Sequence, residues 1–307
     1  MTPRKVTFLS SGMKVVGDLY LPTDAAPDRK RAALAVVHPF TGVKEQTAGL
    51  HARLLAEKGF ITLAFDAAYQ GESEGEPRGL EDPYQRSEDL RSAVSYLSLL
   101  PEVDPERIGT LGICAGGGYS AFTAASDLRI KALATVSLVD CGRVTREGIR
   151  IQTINSATLT GLLTQTGQDR IQEMKQGGNP AMVDFLPSNE PSDTADGASN
   201  DFHEGTDYYR TPRAQHPRST GFFPRRCYDV FATFDPFAFV HMISPRPLLM
   251  IAGSKADTRI FSEDGIRRAR EPKELFIVPG RTHIELYDHV DGHLEKLVTF
   301  FAESLTV

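Results

Sequence analysis

Several things are scarce in this 307-residue chain, and each scarcity removes a class of protein. Cysteine occurs three times, at Cys114, Cys141 and Cys227, an odd number spread widely. That pattern argues against a disulfide framework or a four-thiolate zinc site. No stretch approaches the roughly 18 consecutive apolar residues of a membrane span. The N-terminal residues run into polar, alternating sequence without the apolar core of a signal peptide, so a reducing cytoplasm is the expected setting. Basic residues are not in excess: 34 Lys and Arg stand against 40 Asp and Glu, a net charge of −6. A general nucleic-acid binder would carry a basic footprint. Neither G-x-G-x-x-G nor G-x-x-x-x-G-K-[ST] is present, which leaves no phosphate-cradling loop, and no cofactor is expected. H-E-x-x-H is absent too. His289 and His293 stand four apart beside Asp288 and Asp291, but a solvated helix start explains them better than a metal site, and none is expected.

What is present is a rhythm. An antiparallel hairpin is expected over 6–10 and 13–21, turning at Ser11-Gly12. Short apolar strands then alternate with helices: strands at 32–37, 60–65, 107–113 and 130–139, helices at 45–58, 88–100 and 115–126. Such alternation means βαβ units, hence an α/β fold with a mostly parallel, twisted sheet and helices on both faces. The rhythm stops near residue 141 and resumes with a strand at 247–252, a helix at 262–270, a strand at 275–278 and a helix at 293–305. About a hundred residues without the pattern are too many for a loop. The expected organisation is a core of 1–140 and 243–307 with an inserted cap at 141–242.

The most informative residues are Gly112-Ile113-Cys114-Ala115-Gly116-Gly117-Gly118, between an expected buried strand and an expected helix. This is G-x-nucleophile-x-G, with cysteine as the nucleophile. The side chain must project from a strained strand-to-helix turn, and glycines must flank it where a side chain would collide with the neighbouring backbone. The following helix points its free N–H groups at the sulfur and favours thiolate. A buried structural cysteine is the plainer alternative, and the placement between strand and helix speaks against it. The base and acid should follow later strand ends in the order nucleophile, acid, histidine. The turn after 247–252 offers Asp257, with Asp264 as a nearby alternative, and the turn after 274–278 offers His283. An oxyanion hole is expected from the N–H of Ala115 and that of Phe40, or Thr41, in the loop His38-Pro39-Phe40-Thr41-Gly42; His38 itself reads as structural. Tyr69 and Gln70, after the second parallel strand, are candidates for substrate contact.

These motifs, together with Phe65-Asp66-Ala67-Ala68-Tyr69-Gln70-Gly71-Glu72-Ser73, resemble the α/β-hydrolase superfamily, and within it the dienelactone-hydrolase-like branch, which uses a Cys-His-Asp triad. With its cap the chain is similar to fungal polyketide acyltransferases and thiohydrolases and to bacterial hydrolases. The resemblance implies Cys114 as nucleophile, His283 as base and Asp257 as acid. It covers both core segments and hardly the cap, whose length speaks against a cyclic lactone substrate. The expected activity is hydrolysis of a small-molecule ester or thioester, free or bound to CoA or a carrier protein, through an acyl-cysteine. Acyl transfer to an alcohol or amine is the alternative, followed by a lyase or isomerase or a non-catalytic receptor on the same fold. No nucleic acid or membrane partner is expected; sheet edges or the cap could support a homodimer.

The cap is electrically split. Acids crowd 184–207, and Arg210, Arg213, Arg218, Arg225 and Arg226 follow without an acid among them. The arginines could meet an anionic substrate group. Pairing between the halves of a surface lid is the preferred reading.

Overall fold

The computed structural model describes residues 1–149, 154–186 and 200–306. In chain order the elements are β1 (Arg4–Ser10), β2 (Met13–Tyr20), β3 (Ala33–Val37), α1 (Thr47–Glu57), β4 (Ile61–Phe65), α2 (Pro83–Ser98), β5 (Ile108–Ile113), α3 (Ala115–Ser126) and β6 (Ile130–Val136). Then come α4 (Cys141–Glu147), α5 (Ser156–Lys175), β7 (Met182–Asp184), α6 (Asn200–Arg210), β8 (Phe222–Pro224) and α7 (Cys227–Thr233). The chain closes with β9 (Leu248–Gly253), α8 (Arg259–Arg268), β10 (Lys273–Val278), α9 (Glu285–Asp288) and α10 (Leu294–Leu305).

Eight strands form one sheet in the order β1-β2-β4-β3-β5-β6-β9-β10. Only the pairs β1–β2 and β2–β4 are antiparallel; the rest are parallel. Strand β3 shows why helices must cover both faces. All five of its residues are buried, and successive side chains point to opposite sides. Ala33, Ala35 and Val37 pack with Leu90, Val94 and Leu97 of α2 and Ala121 and Ala124 of α3. Leu34 and Val36 pack with Ala48, Ala52 and Leu55 of α1 and Leu297 and Phe301 of α10.

Helix α2 starts at Pro83, five residues before the expected 88. The Asp82 side chain accepts from the N–H groups of Tyr84 and Gln85, and Pro83 takes the first helical position, where its missing N–H costs nothing. Helix α8 likewise starts earlier than expected, at Arg259. Between β6 and β9 the described chain adds nothing to the main sheet. It forms helices and a small antiparallel pair, β7–β8. The polar stretch 187–199, with Glu190, Asp193 and Asp196, lies outside the described residues. No helix among the described residues is long and apolar enough to cross a membrane.

His289 and His293 do not converge. His293 turns inward, its Nε2 3.0 Å from Nε2 of His51, while His289 Nδ1 lies 2.9 Å from an Arg281 guanidinium nitrogen. Burial holds both His51 and His293 well below the usual imidazole range, so the pair is neutral. His51 Nδ1–H donates to the Thr47 carbonyl, which leaves its Nε2 as acceptor and makes His293 the donor.

Candidate active site

The site lies at the carboxyl ends of the parallel strands, and at β3 to β6 these ends carry backbone strain. Thr41, Tyr69, Cys114 and Ser137 follow these four strands and have φ of 53°, 69°, 56° and 50°. Positive φ is costly for residues with a Cβ, and the surroundings must impose it. At Cys114 the imposition can be read from the flanking glycines. A Cβ on Gly112 would lie 2.5 Å from the Gly116 carbonyl oxygen, and one on Gly116 would lie 2.5 Å from that of Val37. Only glycine lets β5 turn straight into α3, and the turn lifts Cys114 off the sheet. The Cys114 carbonyl accepts from Gly117 N and Val139 N, and its own N–H donates to Val136, so the turn is locked from both sides.

His283 is carried by the turn after β10. A Cβ on Gly253 would lie 2.2 Å from the Arg281 carbonyl oxygen, so the turn packs directly on the end of β9. Lys255 N–H donates to the Arg281 carbonyl, Gly280 N–H to Ser254 Oγ, and Ser137 Oγ to the His283 carbonyl. The imidazole is buried. Its Nδ1 lies 2.6 Å from Thr258 Oγ1 and its Nε2 3.0 Å from Tyr287 Oη. Burial would raise the Cys114 thiol pKa. The charge of His283, contacts from His283 and Tyr287, and the Ala115 N–H outweigh burial and hold it below the usual thiol value. The thiol is therefore more acidic than usual where the elbow points the sulfur.

Thr258 and Tyr287 were not legible as site residues. Tyr287 lies one helical turn past His283, a spacing that puts both side chains on one side of the chain. Thr258 adjoins the expected acid Asp257, which is half-buried in the same turn. Asp264, the alternative acid, is spent on Arg267, Arg268 and Arg143.

Across the sulfur stands the loop after β3. Thr41 N–H is turned toward Glu81, 3.4 Å from its Oε1. The loop is fixed from beneath. Fully buried His38 accepts the Ala67 N–H on Nε2 and bonds the Pro39 carbonyl through Nδ1, and Arg86 donates to the His38 carbonyl at 2.6 Å. Burial, then the Arg86 charge, holds His38 far below the usual imidazole range. It is neutral and structural. Farther along, the buried Lys44 ammonium lies 2.6, 2.9 and 2.7 Å from Glu45, Asp66 and Glu72. These three carboxylates converge as metal ligands would, but the lysine already supplies the positive charge among them.

Above Cys114 lies a cavity of about 140 Å³. From the core it is lined by Phe40, Ala115, Val139 and Ile284 beside Cys114 and His283, and from the segment after β6 chiefly by Val144, Phe185, Phe223 and Phe231. The lining is overwhelmingly apolar, and no acidic or basic side chain other than His283 belongs to it among the described residues. Phe40 is the hinge of the aromatic wall, its ring 4.8, 4.9 and 5.8 Å from those of Phe185, Phe223 and Phe231. Tyr69 and Gln70 are not among the lining residues. The Tyr69 ring packs on Gly75, and Gln70 Nε2 donates to the Leu80 carbonyl.

The cap arginines are committed elsewhere. Arg210 pairs with Asp184, Arg213 with Asp207 and Asp288, Arg218 with Glu45, Arg225 with Asp169 and Arg226 with Glu173. Only Asp184 and Asp207 come from the acidic half of the cap; the other partners lie in the core or on α5.

A glycine-flanked elbow between strand and helix, on a sheet of this order, is the architecture of an α/β hydrolase. Within that class, residues 17–138 match the family model described as the dienelactone hydrolase family. An uncharacterized protein of Pseudomonas aeruginosa is 41% identical over 98% of this chain and 81% of its own length. Its crystal structure superposes with a TM-score of 0.91 over 98% of this chain and 93% of that one. A second uncharacterized protein, from Escherichia coli, is 38% identical over 99% of this chain and all of its own. A protein named as a thiohydrolase, from Aspergillus aculeatus, is 26% identical over 95% of this chain and 87% of its own. The chain belongs to the dienelactone hydrolase family of α/β hydrolases.

Proposed function

We propose that the protein hydrolyses an ester or thioester of an uncharged, largely apolar acyl group through an acyl-Cys114 intermediate. The observation that carries this reading is Cys114 at a strained elbow, with its thiol pKa lowered beside His283, on the floor of an apolar cavity.

His283 takes the thiol proton, and Sγ attacks the acyl carbonyl. The oxygen of the tetrahedral intermediate is held by the N–H groups of Ala115 and Phe40. Thr41 N–H is the poorer donor because it already faces Glu81. Collapse expels the alcohol or thiol, which receives the proton from His283. Water, deprotonated by the same imidazole, then attacks the thioester and frees Cys114. Thr258 fixes the ring through Nδ1, and Asp257 in the adjoining position is the carboxylate we assign to steady the imidazolium. The absence of a free cation from the described lining favours an uncharged acyl group over an anionic one. Hydrolysis takes precedence over transfer because water needs no dedicated acceptor site, and the name of the fungal thiohydrolase relative agrees with it.

Intact-mass measurement after mixing with short p-nitrophenyl esters and acyl thioesters tests this. The expected result is an acyl adduct that disappears in Cys114→Ala, together with free acid as product. Undiminished turnover by Cys114→Ala would refute the mechanism.

A further inference from the structure

One polar group in the cavity has no work in that mechanism. Tyr209, the penultimate residue of α6, lines the cavity and is only 7% exposed. Its hydroxyl is buried and has no hydrogen-bond partner of good geometry among the described residues. Burial, the largest cause, keeps the phenol pKa far above its usual value, so the group is always an O–H. The ring is also held in place. Tyr208 packs edge-on against it at 4.9 Å and Tyr287 at 6.4 Å, while the next residue, Arg210, is tied to Asp184 and to the Thr220 carbonyl. Phenylalanine would fill the same volume without burying an unmatched hydroxyl, which is costly wherever no partner arrives.

The location says what the partner would be. Tyr209, Tyr287 and Cys114 line the same cavity, and the Tyr209 ring lies 6.4 Å from that of Tyr287, whose hydroxyl is 3.0 Å from His283 Nε2. An acyl chain bound in that cavity on Cys114 places a substituent near its carbonyl on the side where Tyr209 stands. The cavity of about 140 Å³ is close to the roughly 150 Å³ of a dry apolar cavity that takes up benzene, room for about six carbons.

We infer that Tyr209 is a specificity residue: its hydroxyl hydrogen-bonds one oxygen, a hydroxyl or keto group near the scissile carbonyl, on an otherwise apolar acyl chain of about six carbons. This rests on the acyl-Cys114 reading. A site that offers a buried hydroxyl discriminates against a substrate lacking the matching oxygen, because the hydroxyl then stays unpaired.

The test compares N-acetylcysteamine thioesters of hexanoic, 3-hydroxyhexanoic and 3-oxohexanoic acids by kcat/KM, with intact-mass detection of the Cys114 adduct. The wild-type protein should favour at least one oxygenated substrate over hexanoyl by about tenfold or more, and in Tyr209→Phe that ratio should fall toward one. The ratio is internal to each protein, so a partly misfolded variant does not distort it. Equal kcat/KM for all three substrates in the wild type, with adducts on Cys114, would overturn the inference and leave the acyl-enzyme intact. So would a preference that survives in Tyr209→Phe, or a uniform slowing with the ratio unchanged, the mark of a hydroxyl that serves water. No turnover and no adduct with any of the three would overturn the parent reading along with it.

Discussion

The sheet end and the segment that covers it are built by different physics. At the sheet end, position is dictated by backbone sterics. The turns bearing Cys114 and His283 sit where a single methyl group at Gly112, Gly116 or Gly253 would meet a carbonyl oxygen within 2.5 Å. Beneath them the charged groups are buried: Lys44 and Asp66 have fully buried side chains. The cover has strands of three residues, edge-to-face rings and ion pairs that water partly reaches. Geometry that must be accurate for bond making is thus placed where nothing can shift. The wall of the cavity on the side of the cover is made of side chains rather than of backbone turns.

Three substitutions would break or sharpen that contrast. The largest effect is expected from Lys44→Met. It leaves the buried Asp66 carboxylate without its cation, so stability in urea unfolding should fall by about 3–5 kcal/mol, and activity with it as the loop after β3 loosens. A midpoint shift too small to measure would mean that the buried charges are not what holds this end rigid. Next is Tyr287→Phe, at the seam between sheet end and cover. Removing a donor to the sulfur weakens the thiolate, so the Cys114 pKa rises. The acid limb of the kcat/KM profile should then move to higher pH by about one unit, with roughly tenfold less activity on that limb. An unmoved limb would show that His283 and the Ala115 N–H suffice. The smallest effect belongs to the cover. Arg225→Gln breaks a two-point pair with Asp169 that water partly reaches and should cost less than about 1 kcal/mol in thermal unfolding. The order of preference among acyl groups should be unchanged, and a reordering would tie this pair to the cavity.

How far the sequence could be read follows the same division. The alternation of strand and helix is local, so the sheet and its long helices were legible from apolar spacing, while ends such as the start of α2 and the four-residue helix α9 were not. At α2 the Asp82 side chain and Pro83 set the start, ahead of the first apolar residue of the helical spacing. Cys114 and His283 were legible because each follows a strand end, and the fold brings them within range of one another. The Nδ1 contact of Thr258 was missed because a hydroxyl beside an acid carries no pattern of its own. Tyr69 and Gln70 follow a strand end as expected, but the Tyr69 ring packs on Gly75 and the Gln70 amide donates to the Leu80 carbonyl, so neither lines the cavity. Tyr209 belongs to no motif; its meaning arises from burial beside Tyr287, a residue far away in the chain.

The amino-acid order alone determined the α/β class, the elbow and the two strand-end turns, because these depend on apolar periodicity and on glycine where no side chain fits, both properties of near neighbours. Only the folded molecule decided which hydroxyls reach the imidazole, that the arginines between β6 and β9 are used in ion pairs, and the size and apolar lining of the cavity. Those depend on side chains from distant segments meeting around one cavity, and no short-range pattern encodes such a meeting.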